Sequence, residues 1–340
     1  MLPFNISEFS NDTRYASAVA RVRALEAKLL PARKFVRMAD RQDWHGVLDE
    51  LRGTEYADPL SRVENAAQLE EALLQALKQR HRLLHDLAAE PALINAILLW
   101  HDFNNLKILL QKEWFGDARA IALSSLGLYE PETLQRQYQS QQPLPSPLDQ
   151  ALELGKADFA TYQSTFRVEM LLDKLYLTYV ASRFRESNIA FLVAFIRHRI
   201  DLLNIRMVLR WRTWGNDGKI DWDLLPPGGF LDRDKLQALW RDDLDKVAGV
   251  FAYTPYGELF SPGSEWLKSA HKLWYIEKLE DDLLTRFCSL TRYTAFGIEP
   301  LIAYLWVSLQ ELKNMQLILT AKYMFLPPEA IKQRLRQSYG

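Results

Sequence analysis

The chain has 340 residues, 48% of them hydrophobic, with 42 Lys and Arg set against 43 Asp and Glu for a formal net charge of −1. This composition excludes a disordered chain, because there is enough apolar surface for substantial cores. The balanced charge supplies no global basic field for a polyanion, which argues against nucleic acid as a partner.

From Met1 to Glu8 there is neither a charged leader nor an apolar core of signal-peptide length. Tyr15, Val19, Val22, Leu25, Leu29 and Leu30 then recur at mostly three- and four-residue steps, predicting an amphipathic helix that stops at Pro31. The same spacing predicts helices over Gln68–Ala89, Pro91–Trp114, Val168–Phe184, Ile189–Trp214, Leu273–Tyr293 and Pro300–Met324. Alternating runs rich in Val, Ile and Thr are nearly absent, so the expected fold class is all-α. Pro91–Trp100 and Ile298–Leu309 are the most apolar stretches, and both fall short of the roughly 18 residues that suggest a bilayer span. Any work at a membrane would therefore be done through another protein.

One phrase occurs three times: Asn105-Leu-Lys-Ile-Leu-Leu, Asn204-Ile-Arg-Met-Val-Leu and Asn314-Met-Gln-Leu-Ile-Leu, spaced by 99 and then 110 residues. A helical unit used three times explains it. Pro91 and Pro300 each stand 14 residues before their asparagine, at a helix start where a missing N–H costs little, while Ala190 takes that place in the second copy. Glu70, Glu169 and Glu277 lie on the helices that precede, and Thr54-Glu-Tyr56 matches Thr254-Pro-Tyr256. Breakers fall at Gly116, Gly127 and Pro131, and again at Gly215 and Pro226-Pro-Gly-Gly229. The linker-like Gln139–Leu148 and the segment Tyr253–Gly263 mark boundaries. These marks divide the chain into an N-terminal helix and partial unit (1–57) and three helical units (58–148, 149–258 and 259–340).

Among the motifs that carry chemistry, no phosphate-binding glycine loop occurs, which argues against a nucleotide cofactor. His81 and His85 are four apart on one helix, but Arg-Leu-Leu between them is not a metalloprotease pattern, so ordinary helix histidines are expected and no metal. The lone Cys288 permits no internal disulfide, suits a reducing compartment, and reads as a small buried hydrophobe rather than a nucleophile. The acidic run Glu277, Glu280, Asp281 and Asp282 reads as a solvated face or half of an interface rather than a catalytic pair. The repeated asparagines either hydrogen-bond across a packed helix pair or, with Lys107 and Arg206 two residues on, offer a polar edge inside a cavity.

Taken together, Tyr15 to Leu30, Asp102-Phe-Asn-Asn-Leu-Lys, Asp201-Leu-Leu-Asn-Ile-Arg, Pro227-Gly-Gly-Phe-Leu and Glu299-Pro-Leu-Ile-Ala-Tyr-Leu resemble the C subunit of prokaryotic V/A-type rotary ATPases, the counterpart of the eukaryotic V-ATPase d subunit. The resemblance implies three similar three-helix units in a pseudo-threefold, funnel-shaped arrangement, with no catalytic site. It further implies a rotor socket on the cytoplasmic face of the membrane, peripheral to it, coupling the central shaft (the D and F subunits) to the proteolipid ring in proton or sodium transport. The membrane-embedded part of the stator would be a further neighbour. On this resemblance Arg21, Arg23, Lys107 and Arg206 are candidates for the shaft or ring interface. Gln316 departs from the basic residue at that place in the third copy. The rival expectation is a free-standing helical-repeat scaffold, although such repeats usually run nearer about 20 to 45 residues.

Overall fold

A computed structural model of the chain describes residues 8–60, 63–116, 122–214, 220–260 and 273–339. Among the described residues all regular structure is helical, as the apolar spacing predicts. In chain order the helices are α1 (Ala16–Glu26), α2 (Ala32–Asp40), α3 (Trp44–Leu51), α4 (Ala57–Leu60), α5 (Ala66–Leu87), α6 (Pro91–Phe115), α7 (Pro131–Gln139) and α8 (Leu148–Tyr162). They continue as α9 (Thr165–Glu186), α10 (Ala190–Trp214), α11 (Arg233–Arg241), α12 (Leu244–Phe251), α13 (Leu273–Cys288), α14 (Glu299–Tyr323) and α15 (Pro328–Arg334).

The three asparagine helices α6, α10 and α14 are each 25 residues long. Pro91 opens the first and Glu299-Pro300 the third, where the proline sacrifices no helical hydrogen bond. Two predicted ends differ. The first helix stops at Glu26 rather than at Pro31, because the chain tightens through Lys28 N–H to Leu25 O and Leu29 N–H to Glu26 O, and the Leu30 N–H is taken by the Glu311 carboxylate at 2.6 Å. Likewise α13 ends at Cys288 and continues to Tyr293 as a 3-10 helix. Gly215 and Ser261–Gly263, read as punctuation, lie outside the described residues.

The chain forms two compact units. One joins Met1–Pro91 to Ser261–Gly340; the other is Ala92–Phe260. In the first, here the terminal unit, α14 is the central element: every residue from Leu301 to Val307 is buried, as suits a helix apolar all round. Around it pack α1, α2, α3, α5, α13 and α15. In the second, the middle unit, α9 pairs with α8 and α10, and the short hairpin α11–α12 closes onto α10 through α11. Each core leucine or phenylalanine so buried contributes about 1.5–3 kcal/mol relative to exposure.

The end of α14 is locally costly. Its last turn closes with Leu326 N–H to Ala321 O and Phe325 N–H to Lys322 O, which places Phe325 in the left-handed region at φ 55° with its side chain 93% exposed. At the corresponding end of α6 that conformation is taken by Gly116, at φ 72°. A left-handed residue with a Cβ is strained and glycine is not. Phe325→Gly is therefore expected to raise stability by about 0.5–1 kcal/mol, seen as a higher urea midpoint.

Candidate functional site

The repeated asparagines are buried, at 0%, 4% and 1% exposure for Asn105, Asn204 and Asn314. Each reaches the chain that follows its own helix rather than a neighbouring helix. Asn105 bonds both backbone groups of Ser124, accepting from its N–H at 2.7 Å and donating to its C=O at 2.9 Å. Asn314 does the same to Arg336, at 2.8 and 3.0 Å. A primary amide carries one donor edge and one acceptor edge, so it pairs with a single peptide residue as a strand would. Asn204 meets Pro226, which has no N–H to give: its Nδ2 donates to the Pro226 carbonyl at 3.1 Å, while its Oδ1 is buried without a partner.

One helical turn earlier stands an acid in all three copies: Asp102, Asp201 and Glu311. Asp102 accepts from the N–H groups of Leu128 (2.8 Å) and Tyr129 (3.3 Å). Asp201 accepts from Phe230 (2.8 Å) and Leu231 (3.0 Å), and also from the Tyr256 hydroxyl at 2.6 Å. Gly127 and Gly229 make this approach possible, since a Cβ there would sit 2.2 and 1.9 Å from the aspartate oxygens. In the third copy Glu311 takes Leu30 N–H at 2.6 Å and the Tyr56 hydroxyl at 2.5 Å, with Arg80 adding an ion pair at 2.9 Å.

Leu30 and Tyr56 are each 200 positions before Phe230 and Tyr256. The intervening helices also match: α2 and α11 have nine residues each, and α3 and α12 eight. Both tyrosines follow a threonine that bonds back to the helix end, Thr54 to Leu51 O and Thr254 to Phe251 O. Thus the hairpin that closes α10 in the middle unit has its equivalent for α14 in the N-terminal residues 30–60. The Thr-x-Tyr pair is visible in the sequence; its carboxylate partners, Glu311 and Asp201, are not, although both stand one turn before repeated asparagines.

Burial dominates the electrostatics of these acids. It pushes Asp102 up to about 6 against the two backbone bonds that favour ionisation, and it raises Asp201 as well. Burial and Arg197 hold His198 down at about 4, so this ring, 2.8 Å from the Tyr256 hydroxyl, is neutral at physiological pH. Burial likewise raises the Tyr56 and Tyr256 hydroxyls, each beside its carboxylate. Because folded Asp102 holds its proton more tightly than the unfolded chain does, its contribution to stability is largest in acid and falls as pH rises from about 4 to about 6. Relative to Asp102→Asn, the wild type is expected to lose about 3 kcal/mol over that interval and nothing further above it. Urea titrations of both proteins at several pH values measure this.

The candidate interface residues have different settings. Arg21 is exposed, with no ion pair among the described residues. Arg23 is half-buried, pairs with Glu26 at 2.6 Å and donates to the carbonyls of Thr291 and Thr294. Lys107 pairs with Asp173 and lies over the Trp100 ring. Arg206 is half-buried. The acidic run of α13 is largely internal: Lys313 and Arg336 hold the Asp281 carboxyl below its usual range against the effect of burial, and Asp282 binds Lys278 and the Gln337 N–H. On α5, His81 is buried and His85 faces Asp86. Cys288 is buried, which pushes its thiol up.

Further bonds join one copy to the next. From α6, Lys107 reaches Asp173 on α9 and Gln111 reaches Glu169 at 2.7 Å, while Tyr176 donates to Ile97 O. From α14, Gln316 reaches Glu70 on α5 at 3.1 Å, and Glu311 pairs with Arg80 further along the same helix. The first asparagine helix is thus tied to the helix ahead of the second, and the third to the helix ahead of the first.

These features define an all-helical protein built on one long, clamped helix used three times. By sequence the chain belongs to the ATP synthase (C/AC39) subunit family, whose pattern it matches over residues 18–334. It is similar to the C subunit of the A-type ATP synthase of Thermococcus kodakarensis, 25% identical over 336 residues covering 94% of this chain and 90% of that protein. The corresponding protein of Desulfurococcus sp. is 26% identical over 335 residues, with the same coverage. The C subunit of the V-type sodium ATPase of Enterococcus hirae is 23% identical over 320 residues, covering 94% of this chain and 97% of that one. The resemblance read from the residues therefore holds over most of the chain.

Proposed function

We propose that this chain is the C subunit of a V/A-type rotary ATPase, a non-catalytic rotor part seated between the central shaft, made of the D and F subunits, and the membrane proteolipid ring. The observation that carries the reading is the match to the ATP synthase (C/AC39) subunit family over residues 18–334, supported by the like settings of the three clamped helices α6, α10 and α14. The buried clamps suit a part that transmits torque, because satisfied polar networks in a packed interior fix one geometry. Among the described residues no helix is long and apolar enough to cross a membrane, so contact with the bilayer would run through the ring, on its cytoplasmic face.

Of the four basic residues suggested for the interface, Arg23 and Lys107 already serve the fold. Arg21, exposed on α1, is the side chain best placed to meet an acidic shaft surface. Size-exclusion chromatography of the purified chain, with a purified D–F pair and separately with detergent-solubilised ring, tests this. One complex with each is expected, with D–F binding weakened by Arg21→Glu; failure to bind either would overturn the proposal.

A further inference from the structure

We propose that residues 9–60 form a releasable clasp on α14, and that the terminal unit opens along this seam while α5, α13 and α14 stay folded together. The inference does not depend on which partner the protein serves.

The two equivalent closures differ in how they are tethered. In the middle unit the Asp201 carboxylate binds N–H groups 29 and 30 residues further along the same segment. In the terminal unit Glu311 binds Leu30 and Tyr56 across 281 and 255 residues of sequence. The hairpin 230–260 is thus held by short covalent connection to its own helix, whereas 30–60 lies between α1 and α5 and has no short connection to α14. A segment with fewer short tethers gains more conformational freedom on release.

The groups left behind also differ. Were 230–260 to lift away, Asp201 would lose the N–H groups of Phe230 and Leu231 and the Tyr256 hydroxyl together. Were 9–60 to lift away, Glu311 would keep Arg80 of α5 as counter-ion at 2.9 Å, while Lys322 would lose the Ala39 carbonyl and Glu299 the two bonds from Ser10. A buried charge that retains its partner tolerates opening far better than one stripped of every bond.

Packing along the seam is imperfect at Gln310 of α14. Four residues before Asn204 stands Ile200, fully buried and apolar; four before Asn314 stands Gln310, 2% exposed, with neither side-chain polar atom bonded. A small cavity at Gln310 is lined by Leu29, Leu30 and Phe35 from the clasp and Val307 from α14. Meanwhile the clasp holds its own shape. Glu50, 7% exposed, receives Lys34, Arg37 and Arg41 from within the segment, and these cations keep its carboxyl below the usual range.

The test is peptide-resolved hydrogen exchange on the whole chain under native conditions. Amides of α2 and α3 are expected to exchange as one block at least about tenfold faster than those of α11 and α12, with α14 still protected. Gln310→Met, which removes the unbonded amide while keeping the side chain's length, should slow that block several-fold. Tyr56→Phe should speed it and leave α11–α12 unchanged. Equal protection of the two hairpins, exchange of α2–α3 only together with α14, or no slowing by Gln310→Met would each overturn the clasp. The wild type and Gln310→Met decide the matter even if Tyr56→Phe does not fold.

Discussion

Replacing Gly229 by alanine is expected to lower the stability of the middle unit by about 2–4 kcal/mol. An alanine Cβ would lie 1.9 Å from Asp201 Oδ1, a distance no real contact tolerates, so the loop or the carboxylate must move. That carboxylate holds two backbone N–H groups and the Tyr256 hydroxyl, and a shift of either partner strands buried donors at about 1–3 kcal/mol each. Gly127 faces Asp102 in the same way, at 2.2 Å. The opposite sign is expected at Gly249 in α12, where a Cβ would meet nothing within 4 Å and alanine should add about 0.5–1 kcal/mol of helix preference. Urea unfolding of the two variants beside the wild type measures both; a harmless Gly229→Ala would mean that the clamp contributes little.

Glu311→Ala is expected to cost the terminal unit about 3 kcal/mol. The change orphans the Leu30 N–H and the Tyr56 hydroxyl, and it removes one of the two carboxylates on Arg80. Glu55 remains at 2.7 Å, so the arginine is not left wholly uncompensated, which sets the loss at the lower end for a broken buried pair. The effect should be local. Hydrogen exchange in α1–α3 should rise while α14 and α9–α12 stay as they are, and an equal rise in both units would contradict this account of the carboxylate.

Much of this architecture was legible in the residues because long helices announce themselves by spacing. Pro91 and Pro300 marked helix starts, and the asparagine phrase located three equivalent helices within a residue or two of their observed bounds. What the asparagines bind was not legible. Side chains three and four residues apart share a helix face, so Asp102, Asp201 and Glu311 stand beside their asparagines by periodicity alone. Their partners, however, lie about 20 to 280 residues away, and local pattern holds no information on such pairings. The relation between 30–60 and 230–260 was half visible in the repeated Thr-x-Tyr. Its meaning required seeing that Tyr56 closes a helix from the far end of the chain. Among the basic residues, sequence could not separate Arg21, which faces solvent, from Lys107, which is committed to Asp173, because both stand on amphipathic helices with a similar polar stripe.

The most direct test of the rotor-socket account is to isolate the tagged chain from detergent-solubilised membranes of its host and identify by mass spectrometry what comes with it. The account predicts recovery of the D and F shaft proteins together with the ring proteolipid; recovery of soluble proteins alone would contradict it and favour a free-standing helical scaffold.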